Sequence, residues 1–231
     1  MSPPRVKICC IADAHEARTA FAAGAAALGL VSAMPSGPGV ISDATVAEVA
    51  SAMRGLPVRT FLLTARTTAR AIAAQHEQAG TTTLQLVDQV PHDELRRLRE
   101  LAPGVEIVQV IHVTGAAAVD EALAVAPLVD ALLLDSGNPA AAVKELGGTG
   151  RVHDWTLSRR IRDAVAPLPL WLAGGLRVDN VAEAIAAVQP HGLDLCSSVR
   201  SGGRLDAGRL AAFMAAVADA GASAAPPLSR G

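Results

Sequence analysis

Short apolar runs alternate with longer Ala- and Leu-rich stretches from one end of the chain to the other. The apolar runs cover residues 5–11, 27–32, 58–63, 82–87, 106–113, 130–134, 168–173 and 192–197. Runs this short, bounded by turn residues, read as buried strands. Between them, apolar residues recur at helical spacing over residues 15–26, 43–54, 67–78, 92–101, 116–126, 157–165, 181–188 and 207–217. Ser42 or Asp43 supplies an N-terminal cap for the second helix. The pattern is eight strand–helix units with no linker and no shift in composition.

Regular alternation of this kind implies parallel strands with right-handed crossovers. Eight units in a chain of 231 residues fit a single closed (β/α)8 TIM barrel, α/β in class. An open doubly wound sheet is the alternative, but it usually has fewer strands and its glycine turn after the first. Here the glycine turns follow the sixth and seventh strands, with a small-residue turn after the eighth. The barrel is expected to occupy residues 1–219, and the Ala/Pro/Ser-rich tail, 220–231, to be disordered.

Composition narrows the setting. Hydrophobic residues make up 51% and aromatics only 2%, so a large core must be filled by Ala, Val and Leu. A net charge of -2 without a long basic run argues against nucleic acid as a partner. No apolar stretch reaches the roughly 20 residues needed to span a bilayer. The first residues enter a strand rather than a signal peptide. Three cysteines, two of them adjacent, make a poor disulfide framework, and a reducing, cytoplasmic location is expected. No His/Cys cluster has metal-ligand spacing. The high alanine content leaves monomer and homodimer both open.

In a barrel of this type, chemistry gathers at the C-terminal ends of the strands. Asp135 ends the sixth apolar run and Cys9 lies near the end of the first. Strand alternation sends Lys7 and Cys9 to one side and Ile8 and Cys10 to the other, so Cys10 is expected to pack against helices. Gly147, Gly148 and Gly150 follow the sixth run and Gly174–Gly175 the seventh. Ser197–Ser198, ahead of Gly202–Gly203, follow the eighth. Turns of this kind present backbone N–H groups to a phosphate.

Lys7-Ile8-Cys9, the GGTG loop with Asp154-Trp155, and LAGGL with Asn180-Val181 together resemble the phosphoribosylanthranilate isomerase (TrpF) family, over about residues 5–217 and in the same order. The resemblance implies a (β/α)8 barrel that needs no cofactor and no metal and takes a small phosphoribosyl substrate. It catalyses an Amadori-type aldose–ketose isomerisation of an N-(5-phosphoribosyl) aromatic amine. Matched by motif, Cys9 is the general base and Asp135 the general acid. Gly148, Gly150, Gly174, Gly175, Ser197 and Ser198 form the phosphate-binding loops. Lys7 is placed with these substrate- and phosphate-binding residues, and its positive potential favours a Cys9 thiolate.

The departures from the family pattern lie elsewhere. The family's S-P-R-x-V-S loop, whose Arg holds the anthranilate carboxylate, reads Gly37-Pro38-Gly39-Val40-Ile41-Ser42, so Gly39 stands in place of the Arg. The family's K-I-C-G reads Lys7-Ile8-Cys9-Cys10, and its S-S-G-V-E reads Cys196-Ser197-Ser198-Val199-Arg200. The V-Q-L-H-G pattern loses its His at Val87. The expectation is an isomerase with an altered aglycone, one without the ortho carboxylate. An ordinary phosphoribosylanthranilate isomerase that grips the carboxylate by another residue is the alternative, with His112, Arg177 and Arg200 as candidate cations. A non-catalytic phosphosugar-binding paralogue is the second.

Overall fold

A computed structural model describes residues 3–137 and 154–223. Strands and helices alternate as β1 (Arg5–Ile8), α1 (Ala14–Ala22), β2 (Ala27–Val31), α2 (Asp43–Ala52), β3 (Arg59–Thr64), α3 (Ala69–Ala79), β4 (Thr83–Leu86) and α4 (His92–Leu101). They continue as β5 (Glu106–His112), α5 (Ala117–Val125), β6 (Ala131–Asp135), α6 (Trp155–Val165), β7 (Leu170–Leu172), α7 (Val181–Val188) and β8 (Gly192–Leu195), and end with α8 (Ala207–Ser223). The eight strands close into one parallel barrel in sequence order, β8 pairing back onto β1. This is the expected (β/α)8 barrel.

The two sides of each strand enter different cores. One core joins the outer face of the sheet to the helices and contains Ile8, Leu28, Leu30, Leu62, Leu84, Ile107 and Leu134. The other fills the barrel and contains Val31, Phe61, Leu63, Val108, Leu133, Trp171 and Ala173. Both faces being apolar explains why the strands read as continuous hydrophobic runs. The helices bury one stripe only: in α4, with its charged sequence, Leu95 and Leu98 are the buried residues. Side-chain caps fix several helix starts, with Asp13 accepting from the Glu16 N–H, Ser42 from Thr45, and Asp154 from Thr156 and Leu157.

Several boundaries differ from expectation, three of them for a clear local reason. β1 stops at Ile8, because Cys10 adopts a left-handed φ of 62°. α8 runs on to Ser223, past residue 217, and Gly221 packs against Pro3 at the other end of the chain. After β8 the chain makes a small antiparallel hairpin, β9 (Arg200–Ser201) and β10 (Arg204–Leu205), which Gly202 and Gly203 close as its turn. Those two glycines therefore serve a hairpin rather than the barrel mouth. Gly147, Gly148 and Gly150, and most of the expected tail, lie outside the described residues.

Candidate active site

The C-terminal ends of the strands surround a cavity of about 680 Å³, measured out to its open mouth. Cys9, Asp135, Gly174, Gly175, Ser197 and Ser198 all line it. Cys9 and Asp135 are nearly buried, each 8% exposed. They belong to strand ends three steps apart around the barrel, β6 to β7 to β8 to β1. A small molecule between them meets a thiol on one side and a carboxyl on the other. That is the arrangement needed for moving protons at two of its atoms.

The carboxylate is held at the β6 end by its own loop. Asp135 Oδ1 accepts a 2.7 Å bond from the Ser136 N–H. Cys9 is fixed from β8, its N–H donating to the Leu195 carbonyl at 2.8 Å. Room for the thiol comes from Gly29 on β2. A Cβ there would lie 2.9 Å from Cys9 Sγ and 3.1 Å from Lys7 Nζ, so any side chain would displace both. Sequence patterning gave no hint of Gly29's part.

Lys7 is not at the cavity surface. It is fully buried within the barrel and bonds Asp194 Oδ2 at 2.8 Å, with its ammonium 5.3 Å from the centre of the Phe61 ring. Burial pulls the Lys7 ammonium down, but the Asp194 charge, the Cys9 charge, the hydrogen bond to Asp194 and the Cys10 charge together outweigh it and hold the pKa above its usual value. Burial pushes the Asp194 carboxyl up against the opposing Lys7 charge. Asp194 lines the cavity floor, with Oδ1 buried and without a partner. Asp194 thus holds the Lys7 ammonium beneath the site, where its charge acts directly on Cys9.

The turns on the β7 and β8 side form a polar rim. Gly174 and Gly175 both have positive φ, 88° and 61°, which a Cβ would strain. Asn180 pins this turn, donating to the Gly175 carbonyl at 3.0 Å while accepting from the Arg177 N–H at 2.8 Å. Next to it, the Ser198 hydroxyl is buried on the cavity wall with no partner. A buried hydroxyl without a partner costs stability unless a ligand satisfies it.

Opposite that rim the wall is mostly apolar. It consists of Val31, Met34 and Leu63 with the loop Ser36-Gly37-Pro38, and of Gln85 from β4, whose Oε1 is buried without a partner. No Lys, Arg or His lines the cavity among the described residues. The three candidate cations point elsewhere. His112 is paired with the Val87 carbonyl at 3.0 Å, and Arg177 with Asp179 and the Gly175 carbonyl. Arg200 bonds the Cys9 carbonyl at 3.2 Å, the Cys10 carbonyl, and Glu16 Oε2 at 3.1 Å.

Cys10 is the main correction to strand-alternation reasoning. Its left-handed turn swings it into the cavity lining instead of towards the helices. There it packs on the loop after β2. Its thiol donates to the Pro38 carbonyl at 3.5 Å, and a Cβ on Gly39 would lie 2.4 Å from its Cβ. Gly39 itself has φ of 76°. A side chain at position 39 is incompatible with a side chain at position 10 in this geometry. The glycine at 39 and the cysteine at 10 are thus two halves of one packing arrangement.

Comparison with known proteins gives the family. The family model for N-(5'-phosphoribosyl)anthranilate isomerase matches residues 6–216. The chain belongs to the phosphoribosylanthranilate isomerase family. It is thereby one of the aldose–ketose isomerases. The N-(5'-phosphoribosyl)anthranilate isomerase of Haloferax volcanii is 37% identical over 214 residues, covering 92% of each chain. That of Thermosynechococcus vestitus is 35% identical over 212 residues, 90% of this chain and 87% of the relative. Among solved structures, phosphoribosyl anthranilate isomerase from Thermus thermophilus superposes with a TM-score of 0.77 at 26% identity, covering 93% of this chain and 98% of the other. TrpF from Jonesia denitrificans superposes with a TM-score of 0.68 at 29% identity, covering 93% and 96%. In the family's terms, Cys10 replaces the glycine of K-I-C-G, and its φ of 62° explains why a glycine suits that position.

Proposed function

We propose that the protein isomerises N-(5'-phosphoribosyl)anthranilate to the corresponding 1-deoxyribulose 5-phosphate amine, a step of tryptophan biosynthesis. The observation that carries this reading is the thiol of Cys9 and the carboxyl of Asp135 lining one cavity, beside a rim of Gly174, Gly175, Ser197 and Ser198. Asp135 donates its proton to the furanose ring oxygen, and the ring opens to a Schiff base. Cys9, as thiolate, removes the proton from sugar C2. The resulting enolamine tautomerises to the ketone. The phosphate is held by the amides of the Gly174–Gly175 turn and by the hydroxyls of Ser197 and Ser198.

An aglycone lacking the carboxylate, expected from Gly39, has no counterpart in the relatives, whose names specify anthranilate. Gly39 instead follows from the packing of Cys10. The aromatic ring lies against Val31, Met34 and Leu63, and its carboxylate takes neutral donors from the loop after β2 rather than a bidentate guanidinium. The assay is loss of substrate fluorescence with purified protein, together with rescue of a tryptophan auxotroph. Cys9→Ala and Asp135→Asn should each lower kcat by about 100- to 10,000-fold with a small change in KM. Wild-type protein without turnover would refute the substrate. Turnover unchanged in both variants would refute the assigned acid and base.

A further inference from the structure

The proposed reaction uses one cysteine, yet the cavity mouth holds three. Cys9, Cys10 and Cys196 are all free thiols on its lining. Cys10 lies at the end of the β1 segment and Cys196 at the end of β8, strands that pair directly in register up to Ile8 and Leu195. The left-handed turn at Cys10 and the end of β8 place both side chains on adjoining parts of one cavity wall. We propose that Cys10 and Cys196 are a redox-active pair, which hydrogen peroxide converts to an intramolecular disulfide that reversibly closes the site.

The two partners are electronically different. The neighbouring Cys10 thiol lowers the Cys196 pKa, burial opposes this, and the Arg200 charge adds to the lowering. The neighbouring Cys196 thiol, then that of Cys9, and then burial all push the Cys10 thiol up. Cys196 is therefore the attacking thiolate, since the thiolate is the nucleophile. Its sulfur attacks one peroxide oxygen and the O–O bond breaks. The departing oxygen takes a proton and leaves as water, giving a sulfenic acid at Cys196. The Cys10 sulfur then attacks that sulfur, the S–O bond breaks, and a second water leaves with the Cys10 proton. Two thiols lose two protons and two electrons, and one peroxide becomes two waters.

Cys9 is a poor partner for Cys10. Adjacent residues across a trans peptide have Cα atoms about 3.8 Å apart, below the roughly 4.4 Å minimum of ordinary disulfides. A Cys10–Cys196 bridge takes the Cys10 thiol from the Pro38 carbonyl that it now holds. It also ties the β1 turn to the residue preceding Ser197 and Ser198. Both ends of the cavity lining beside Cys9 move, and turnover stops until a reductant cleaves the bond.

The test is peroxide treatment of the full chain, alkylation of the remaining thiols, and mass mapping without reduction. Wild-type protein should lose two of its three titratable thiols, regain them with dithiothreitol, and lose and recover turnover in step. Cys9→Ser, which leaves only Cys10 and Cys196, should still form the link. Cys10→Gly and Cys196→Ser should not. A link that survives Cys10→Gly, and so joins Cys9 to Cys196, would overturn the assignment, as would no link in Cys9→Ser protein shown to be folded by circular dichroism. The mapping needs no substrate, so its outcome is independent of whether the proposed reaction is correct.

Discussion

The contact between position 10 and position 39 makes a quantitative prediction. Gly39 has φ of 76°, and a Cβ placed on it lies 2.4 Å from Cys10 Cβ and 2.9 Å from Cys10 Sγ. Gly39→Ala therefore adds a left-handed L-residue, costing about 1–2 kcal/mol, and an overlap costing about 1–3 kcal/mol. Because the Ser36–Val40 loop is largely exposed, part of the overlap relaxes, and a total of about 2–3 kcal/mol is expected. Cys10→Gly removes a similar strain at φ of 62° but also loses the buried thiol, about 1 kcal/mol, so it should be close to neutral. In the double variant the overlap is gone and only the strain at 39 persists. The coupling between the two sites should then be about 1–2 kcal/mol in favour of the double variant. Urea denaturation of the four proteins of the cycle measures this directly. Additivity within about 0.5 kcal/mol would mean that the loop after β2 does not pack on Cys10, and the account of Gly39 would fall with it.

The same pair bears on specificity: Cys10→Gly combined with Gly39→Arg should lower KM for phosphoribosylanthranilate, whereas Gly39→Arg alone should destabilise the protein and raise it, as steady-state kinetics will show. Gly29→Ala should lower kcat more than it lowers stability, since its Cβ would fall 2.9 Å from Cys9 Sγ; equal thermal loss without a kcat effect would refute this. Lys7→Met leaves Asp194 buried and unpaired and should cost about 3–5 kcal/mol, much of it recovered by adding Asp194→Asn, read by urea denaturation. Burial pushes the Glu16 carboxyl up, but the Leu205 and Ala12 N–H groups and Arg200 outweigh it and hold its pKa below 4.5. A depressed carboxyl stabilises the fold above its unfolded pKa and loses that contribution as pH falls through the folded value. Stability should thus decline on acidification below about pH 4.5, and Glu16→Gln should flatten that decline.

The barrel was legible because a strand buried on both faces must be apolar throughout, and eight such runs leave little choice of topology. Asp135 and Gly174–Gly175 were legible for the same reason, since a strand's end fixes what faces the mouth. Cys10 was not, because alternation holds only while φ stays extended, and the residue beyond Ile8 leaves the strand. Lys7 was placed on the correct side of β1, yet its partner Asp194 is 187 residues away, and no local pattern carries such a pairing. The same holds for Arg200 and Glu16, and for the meeting of three cysteines from the two ends of the chain. Gly202–Gly203 read as part of the mouth because a glycine pair looks alike in a phosphate turn and in a hairpin.

The seam between β1 and β8 has a consequence in time. Lys7 to Asp194, Cys9 to Leu195, Arg200 to Glu16 and Arg204 to Asp13 all join residues more than 180 positions apart. Closing a loop of that length forgoes the most chain entropy in the molecule, so this seam is expected to form after the internal strand pairs. Cys9 leaves the ribosome more than 180 residues ahead of its N–H partner on β8. During synthesis the thiol therefore waits unpaired and accessible, and a pulse of alkylating reagent on ribosome-bound chains should modify Cys9 until the final strand has emerged.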